Sequence, residues 1–182
     1  GVDVVTGYAK IVNPWTVEID LGEGRRQTLT TRSIVIATGA MPFVPPLPGL
    51  EEVGYLTSDT LWGLRELPAR LVVLGGGPIG CELAQSFQRL GAQVTQVEMA
   101  PRILLREDPE VSELVSARFK AEGVAVQVDH KAERIEVVNG ERRLVATHQG
   151  REIHIPFDGL LVAVGRVANL KGYGLQELGV AT

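Results

Sequence analysis

The sequence has few of the features that mark a secreted, membrane-bound or nucleic-acid-binding protein. Its 182 residues include a single cysteine, Cys81, which excludes an internal disulfide and gives no argument for an oxidising compartment. The longest apolar runs, such as Leu160 to Val164, are far shorter than the roughly 20 residues of a membrane-spanning helix. The net charge of −4 provides no basic field for DNA, RNA or acidic lipid. We therefore expect a cytoplasmic protein with no nucleic-acid partner and no membrane segment.

Residues that could carry out catalysis or bind a metal are also sparse. The chain has no Tyr-x-x-x-Lys pair and no serine or cysteine nucleophile elbow. His130, His148 and His154 fall in strand or turn sequence without metal-ligand spacing, so we expect them at the surface and expect no metal site. Cys81 has no partner cysteine or nearby histidine, which favours a small packed residue. The chain thus offers no complete catalytic apparatus of its own.

Strand-like and helical segments alternate through the middle of the chain. Two segments have apolar residues at helical spacing, and Gly91 and Gly123 follow them as stop signals. We predict the order Leu71–Leu74 (strand), Pro78–Leu90 (helix), Val94–Val97 (strand), Glu110–Glu122 (helix) and Val124–Val128 (strand), with a further short helix at residues 58–66. This order predicts a right-handed parallel α/β unit.

A polar meander followed by a buried strand that ends in glycine occurs twice. The first copy consists of Val2–Val12, Thr16–Ile19, Gln27–Thr30 and the strand Ser33–Gly39. The second consists of Ala132–Val138, Arg142–His148, Glu152–Ile155 and the strand Gly159–Gly165. Only the second copy has a strand-helix front half. We infer that the chain begins inside a domain whose front is missing, with chance likeness of the two meanders as the alternative.

The stretch Leu71 to Glu98 reads LVVLGGGPIGCELAQSFQRLGAQVTQVE and contains G-x-G-x-x-G between a strand and a helix. Gly75 permits the tight turn, Gly77 lets a pyrophosphate approach the backbone, and Gly80 lets the helix and strand pack closely. Pro78 and Ile79 open the helix, whose N-terminal amides and partial positive charge favour an anion. These residues predict a dinucleotide site.

Glu98 ends the second strand of this unit, 18 positions after Gly80. Its carboxylate can accept both hydroxyls of the adenosine ribose, whereas a 2′-phosphate there would meet like charge at a cost of about 1–4 kcal/mol. We therefore expect NADH to be preferred over NADPH. Arg102 lies four positions further on; it is either a surface arginine or a cation that swings toward a 2′-phosphate and relaxes this preference.

Together the patterns predict an α/β fold with a Rossmann-like parallel sheet, a βαβαβ core and an antiparallel β-meander, plus flanking pieces of a second Rossmann-like domain. Four motifs in order then resemble the class I pyridine nucleotide-disulfide oxidoreductases, in their dihydrolipoyl dehydrogenase and mercuric reductase-like branch. The motifs are Ile36–Gly39 with the proline-rich stretch to Gly49, Gly75–Glu82, Glu98–Ile103, and Val164–Arg166 with Asn169. The resemblance covers essentially the whole chain.

The resemblance implies that residues 1–40 are the rear of an FAD domain, 41–67 a linker with a short helix, and 68–160 an NAD domain. Residues 161–182 would be the last strand of that domain and the return toward the FAD domain. In this family, residues that match Ala37, Thr38 and Gly39 run beside FAD. The residue that matches Glu82 lies near the nicotinamide and the flavin. The residue that matches Ala132 contacts the adenine, and the residue that matches Gly165 lies beside the bound NAD.

Ala168 stands where the family usually has proline, a small departure. The first FAD glycine loop, the redox-active Cys-x-x-x-x-Cys, the later flavin motif and the C-terminal interface domain have no match. The resemblance therefore implies a fragment of an enzyme that passes hydride between NADH and FAD and electrons to a disulfide or metal ion, the whole protein being a homodimer through the unmatched domain. A free-standing NAD-binding or NAD-sensing module, a lone dehydrogenase and an S-adenosylmethionine-dependent methyltransferase remain as alternatives.

Overall fold

The computed structural model describes residues 1–182, and the chain forms two compact units. Unit 1 consists of Gly1–Met41 and Ala168–Thr182, and unit 2 of Pro42–Val167. Short strands span the two points where the chain passes between the units, Ala40–Pro42 (β4) and Arg166–Ala168 (β12). The longest helix has 14 residues, and none of the helices meets the length and apolarity that a membrane span requires.

A four-stranded parallel sheet forms the centre of unit 2, with its strands in the order β11-β5-β6-β7. The strands are Arg70–Leu74 (β5), Gln93–Val97 (β6), Ala125–Gln127 (β7) and Gly159–Val162 (β11). Helices Pro78–Leu90 (α2) and Pro109–Glu122 (α3) connect β5 to β6 and β6 to β7. The predicted strand-helix-strand-helix-strand order and the α/β class are therefore confirmed.

Both faces of this sheet are covered, because alternate residues of each strand point to opposite sides. Leu71 and Val73 pack on the helix side with Phe87 and Phe119, whereas Val72 and Leu74 pack on the other side. The second side is covered by an antiparallel meander, Lys131–Val138 (β8), Glu141–His148 (β9) and Arg151–Phe157 (β10). The result is a helix, sheet and meander sandwich of three layers.

Two charged clusters stabilise this arrangement, one between the sheet and the meander and the other between the two helices. Arg70 at the start of β5 donates to Asp158 and Glu141, and these carboxylates hold the pKa of the guanidinium above its ordinary value. Glu122 at the end of α3 accepts from Arg89 of α2 and from Arg118. These hydrogen bonds, the one from Arg89 first, lower the pKa of Glu122 to about 2.

The segment before the parallel sheet differs from the prediction. A helix at residues 58–66 is wrong: only one 3-10 turn, Leu61–Gly63, forms there, and a four-residue helix, Leu50–Val53 (α1), precedes it. Ser58 and Asp59, the polar residues that could cap such a helix, are bound elsewhere, because Arg166 donates to Ser58 Oγ at 2.9 Å and to Asp59 Oδ1 at 3.0 Å. Leu50 and Leu61 are nevertheless buried and anchor the segment to unit 2.

Unit 1 contains a three-stranded antiparallel sheet of Tyr8–Asn13 (β1), Thr16–Gly22 (β2) and Arg25–Thr30 (β3). The first predicted meander is therefore confirmed, although its first strand begins six residues later than expected. The predicted buried strand Ser33–Gly39 is wrong for this structure: the segment has no strand partner, and Val35 is 90% exposed. An extended segment satisfies its backbone as a strand only when a neighbouring strand pairs with it, and none of the strands of these 182 residues pairs with Ser33–Gly39.

Candidate nucleotide-binding cleft

A cleft of about 810 Å³ lies at the carboxyl ends of β5, β6 and β11, within unit 2. This is the edge at which parallel α/β sheets bind ligands, and the volume lies within the range of small-molecule sites. Apolar and backbone groups form most of its wall. The site residues predicted from sequence that line it are Gly75, Gly77, Pro78, Ile79, Glu98, Ala132 and Gly165.

The three glycines of the G-x-G-x-x-G motif lie in three different steric surroundings. Gly75 has φ +113°, and a Cβ there would overlap the carbonyl oxygen of Ala163. A Cβ at Gly80 would overlap the carbonyl oxygen of Gly75, so this glycine allows the close packing of α2 on the loop. A Cβ at Gly77 would meet no atom within 4 Å, so the bare backbone of Gly77 faces open space in the cleft wall.

The first turn of α2 presents unused backbone donors next to that open space. The first hydrogen bond of the helix runs from Cys81 N–H to the carbonyl oxygen of Gly77, at 2.9 Å. The N–H groups of Ile79 and Gly80 precede it and have no partner, and Pro78 has no N–H to satisfy. A helix N-terminus with free amides and its partial positive charge is suited to an anion such as a pyrophosphate.

Glu98 lies directly after β6 and is held by the backbone on both carboxylate oxygens. Gly76 N–H donates to Oε2 at 2.5 Å, and Ala100 N–H donates to Oε1 at 2.7 Å. A Cβ at Gly76 would come within 2.9 Å of the Glu98 side chain, which makes this fourth glycine position necessary as well. Each oxygen keeps a lone pair, so the carboxylate in the cleft wall can still accept hydroxyl groups.

Arg102 does not face the cleft. Its guanidinium donates to the carbonyl oxygens of Leu104, Leu105 and Glu107 at 2.8–3.0 Å, which fixes the loop after β6. The same loop is attached to the glycine turn, because Leu104 N–H donates to the carbonyl oxygen of Gly76 at 2.7 Å. The sequence alternative in which Arg102 swings toward a 2′-phosphate would break three hydrogen bonds. The arginine of this loop that lines the cleft is Arg106, which was not predicted from the sequence.

The prediction of surface histidines is wrong for His130. Its side chain is 7% exposed, lines the cleft beside Ala132 and stacks on His148 with ring centroids 4.2 Å apart. Its Nδ1 lies 2.6 Å from the carbonyl oxygen of Val128, so Nδ1 carries the proton. His154 is exposed and pairs with Glu136, and no group of metal-binding side chains is present.

Glu82 and Gly165 mark the other predicted contacts. Glu82 lies in the second turn of α2, is exposed, and is not part of the cleft wall. Its carboxylate therefore stays clear of the helix end that would receive a pyrophosphate. Gly165 lines the cleft, and its carbonyl oxygen accepts from Phe43 N–H at 2.9 Å, which places an aromatic ring at this part of the wall.

In unit 1, the residues predicted to run beside FAD are tied to the C-terminal segment. Asn169 Nδ2 donates to the carbonyl oxygen of Thr38 at 2.9 Å, and Thr38 Oγ1 donates to the carbonyl oxygen of Asn169 at 2.8 Å. Asn169 N–H donates to Gly39, whose φ is +72°. Ala37, Thr38 and Gly39 are exposed, and Asn169 Oδ1 is buried without a partner.

Fold and glycine loop together define an α/β protein of the Rossmann-like class. Comparison with known proteins then gives the family. The model of the pyridine nucleotide-disulphide oxidoreductases matches residues 1–182, and the chain belongs to this family of FAD-dependent oxidoreductases.

Individual relatives agree with this assignment. The chain is 38% identical over 180 residues to a mercuric reductase of Lysinibacillus sphaericus, covering 99% of the chain and 32% of that protein. It is 33% identical over 193 residues to a dihydrolipoyl dehydrogenase of Bacillus subtilis (strain 168), covering 100% of the chain and 40% of that protein. It also resembles the HOCl-induced flavoprotein disulfide reductase RclA from Escherichia coli, with a TM-score of 0.79 and 31% identity over 98% of the chain and 40% of RclA. The chain thus spans about a third to two fifths of the length of these relatives.

Proposed function

We propose that unit 2 is the NAD(H)-binding part of an FAD-dependent disulfide oxidoreductase. In the whole protein, hydride would pass between NADH and FAD, and electrons would pass on to a disulfide or a metal ion.

One observation carries the proposal: the open backbone at Gly77, the free amides of Ile79 and Gly80, and the Glu98 carboxylate belong to one cleft wall or border it. Phosphates need backbone donors and room for close approach, and a ribose diol needs an acceptor. The groups that meet these two requirements are adjacent, because the N–H of Gly76 in the glycine loop donates a hydrogen bond to Glu98. The residues present therefore fit a dinucleotide.

The same wall supports a preference for NADH over NADPH. The Glu98 carboxylate can accept ribose hydroxyls on its remaining lone pairs, whereas a 2′-phosphate would meet a negative charge. Unit charges of like sign about 4 Å apart repel by about 1–4 kcal/mol in water-like to surface-like surroundings, which corresponds to at least a roughly fivefold difference in affinity. Arg102 gives no compensation, because its guanidinium is committed to backbone carbonyls.

When bound, the nicotinamide supplies hydride chemistry, and the residues of this chain hold and orient it. Gly77, Ile79 and Gly80 would receive the pyrophosphate and Glu98 the ribose, while Ala132 would border the adenine. Gly165 and Glu82 would lie toward the nicotinamide. Ala37, Thr38 and Gly39 of unit 1 would contribute to an FAD site, and the whole protein would be a homodimer, as the family resemblance implies.

The proposal is tested by calorimetric titration of the purified chain with NADH, using two acid-to-alanine variants. Glu98→Ala should weaken NADH binding at least about tenfold, because it removes the ribose acceptor and the support of Gly76. Glu107→Ala is the matched control, since it removes the same charge from another part of the cleft wall and should change the affinity little. Equal losses in both variants, or no NADH binding by the unaltered chain, would contradict the proposal.

A non-enzymatic NAD-sensing module is the second candidate, since the cleft alone satisfies it equally well. The coding sequence on both sides of this segment separates the two. A second G-x-G-x-x-G together with Cys-x-x-x-x-Cys supports the oxidoreductase, and their absence supports the sensor. On the oxidoreductase proposal, the 182-residue chain is colourless after purification and shows no NADH turnover with lipoamide or Hg²⁺.

A further inference from the structure

A buried polar side chain lies directly beneath the glycine loop. Gln96 of β6 is 0% exposed on the helix side of the sheet, among residues that are otherwise apolar. Its Nε2 donates to the carbonyl oxygen of Gly75 at 3.0 Å and lies 3.5 Å from Cys81 Sγ. An amide buried in an apolar layer is costly unless it is hydrogen-bonded, so this placement calls for an explanation.

The partner of Gln96 belongs to the peptide unit that Glu98 also holds. The carbonyl oxygen of the Gly75–Gly76 peptide accepts from Gln96, and the N–H of the same peptide donates to Glu98 Oε2 at 2.5 Å. Gln96 lies in β6 and Glu98 directly follows it, so the two side chains are only two positions apart in the chain. One peptide plane of the loop is therefore held at its carbonyl end by Gln96 and at its N–H end by Glu98.

Without these two side chains, the orientation of this peptide would lose its direct restraints. Gly75 has φ +113° and Gly76 is also a glycine, so no side chain restricts the backbone torsions on either side of the peptide bond. The buried Cys81 thiol donates to the carbonyl oxygen of Gly76, at 3.5 Å, whereas Gln96 donates to that of Gly75. Gln96 is thus the side chain that holds the carbonyl end of the peptide.

We propose that Gln96 is a positioning residue for the nucleotide: by holding the Gly75–Gly76 peptide from below, it orients the open Gly77 backbone and Glu98 for the dinucleotide. This inference rests on the proposed NAD(H) site. Gln96 itself is fully buried and acts through the loop. The pyrophosphate and adenosine end of the ligand should depend on it.

Gln96→Leu removes the donor and keeps most of the volume. We expect the Kd for NADH and that for ADP-ribose to rise by the same factor, roughly tenfold, because both ligands share the half that the loop receives. Val94→Ala is the matched control, because Val94 is buried on the same face of the same strand but pairs with Leu71, at the start of β5 and away from the glycine loop. It should lower the melting temperature and leave both Kd values unchanged.

The outcomes separate the two claims. No NADH binding by the unaltered chain would overturn the proposed function, whereas unaltered binding in Gln96→Leu with only a lower melting temperature would overturn the positioning role. An equal rise in Kd in Val94→Ala would also overturn it. Gln96→Met, which fills the same space with a flexible chain, replaces the leucine variant if that variant does not fold. If neither folds, the side-chain amide protons of Gln96 in the unaltered chain should exchange slowly and shift on NADH addition, and rapid exchange without a shift would refute the role.

Discussion

Replacing Gly77 by alanine should remove nucleotide binding and leave folding intact. Gly77 has φ −75° and ψ 178°, an extended conformation that alanine adopts without strain, and its added Cβ would meet no protein atom within 4 Å. The methyl group would instead occupy the space through which a pyrophosphate must approach the backbone. Alanine is a poorer residue than glycine before a helix, but it also restricts the unfolded chain, and these two effects are opposite in sign.

The magnitudes make the separation measurable. The two stability effects are each on the order of 0.5–1 kcal/mol, so the net change in the free energy of unfolding should stay within about 0.5 kcal/mol. Losing the close approach of a charged phosphate to about two backbone donors, at roughly 1.5–3 kcal/mol each, should weaken NADH binding by about a hundredfold or more. Gly80→Ala should behave differently, because its Cβ would overlap the carbonyl oxygen of Gly75, and overpacking of this kind costs about 1–3 kcal/mol of stability.

The assay pairs urea unfolding with calorimetric titration of NADH for each variant. Gly63→Ala serves as the matched control, since a Cβ there also meets open space but lies outside the cleft. It should leave NADH binding unchanged and raise the free energy of unfolding by no more than about 1 kcal/mol, because alanine restricts the unfolded chain. Normal NADH binding by Gly77→Ala would refute the claim that the pyrophosphate approaches the backbone at Gly77. Unfolding of that variant would refute the claim that a Cβ fits at this position without a clash.

Three further predictions concern other parts of the chain. The pKa of Glu122 is depressed to about 2, mainly by the hydrogen bond from Arg89, so the stabilisation from its carboxylate is present above the ordinary glutamate pKa and is lost as pH falls toward 2. The melting temperature of Glu122→Gln should therefore fall less steeply over this window than that of the unaltered chain. Identical slopes would contradict this prediction. Arg102→Met removes hydrogen bonds to three carbonyls and should lower the free energy of unfolding in urea by on the order of 1 kcal/mol. The ratio of the NADH and NADPH affinities should stay unchanged. A shift in that ratio would show that Arg102 contacts the 2′-phosphate. Burial raises the pKa of the Cys81 thiol, so it should resist alkylation at neutral pH until the protein unfolds, as followed by mass spectrometry, and rapid labelling of the folded chain would contradict its packed position.

The helices and strands around the glycine loop were predictable because their signals are local. Helix α2 begins at Pro78 and ends at Leu90 as expected, since proline at the start and glycine after the end are read directly from the sequence. The segment at residues 58–66 was not predictable, because its capping residues are recruited by Arg166, more than 100 positions away. A local pattern carries no information about such a partner.

In the candidate site too, the features with a local sequence signal were predictable and those that depend on distant partners were not. The glycines and Glu98 were found from their spacing, but the bond between Glu98 and Gly76 depends on how a strand end meets a loop. The stacking of His130 on His148 follows from the antiparallel pairing of β8 with β9, in which Lys131 is opposite Thr147. Gln96 could not have been singled out from the sequence, because its strand reads QVTQV and three of these five residues are polar. Only the structure shows that Gln96, and not Gln93 or Thr95, is buried.

The central claim, that this cleft receives NAD(H) with Glu98 selecting against a 2′-phosphate, is tested most directly by titrating the purified chain with NADH and NADPH. Both titrations are carried out in the same buffer and at the same ionic strength, because charge repulsion is screened by salt. We predict saturable binding of NADH and an affinity for NADPH that is at least roughly fivefold weaker. Absence of NADH binding, or NADPH binding that is equal or tighter, would contradict the account.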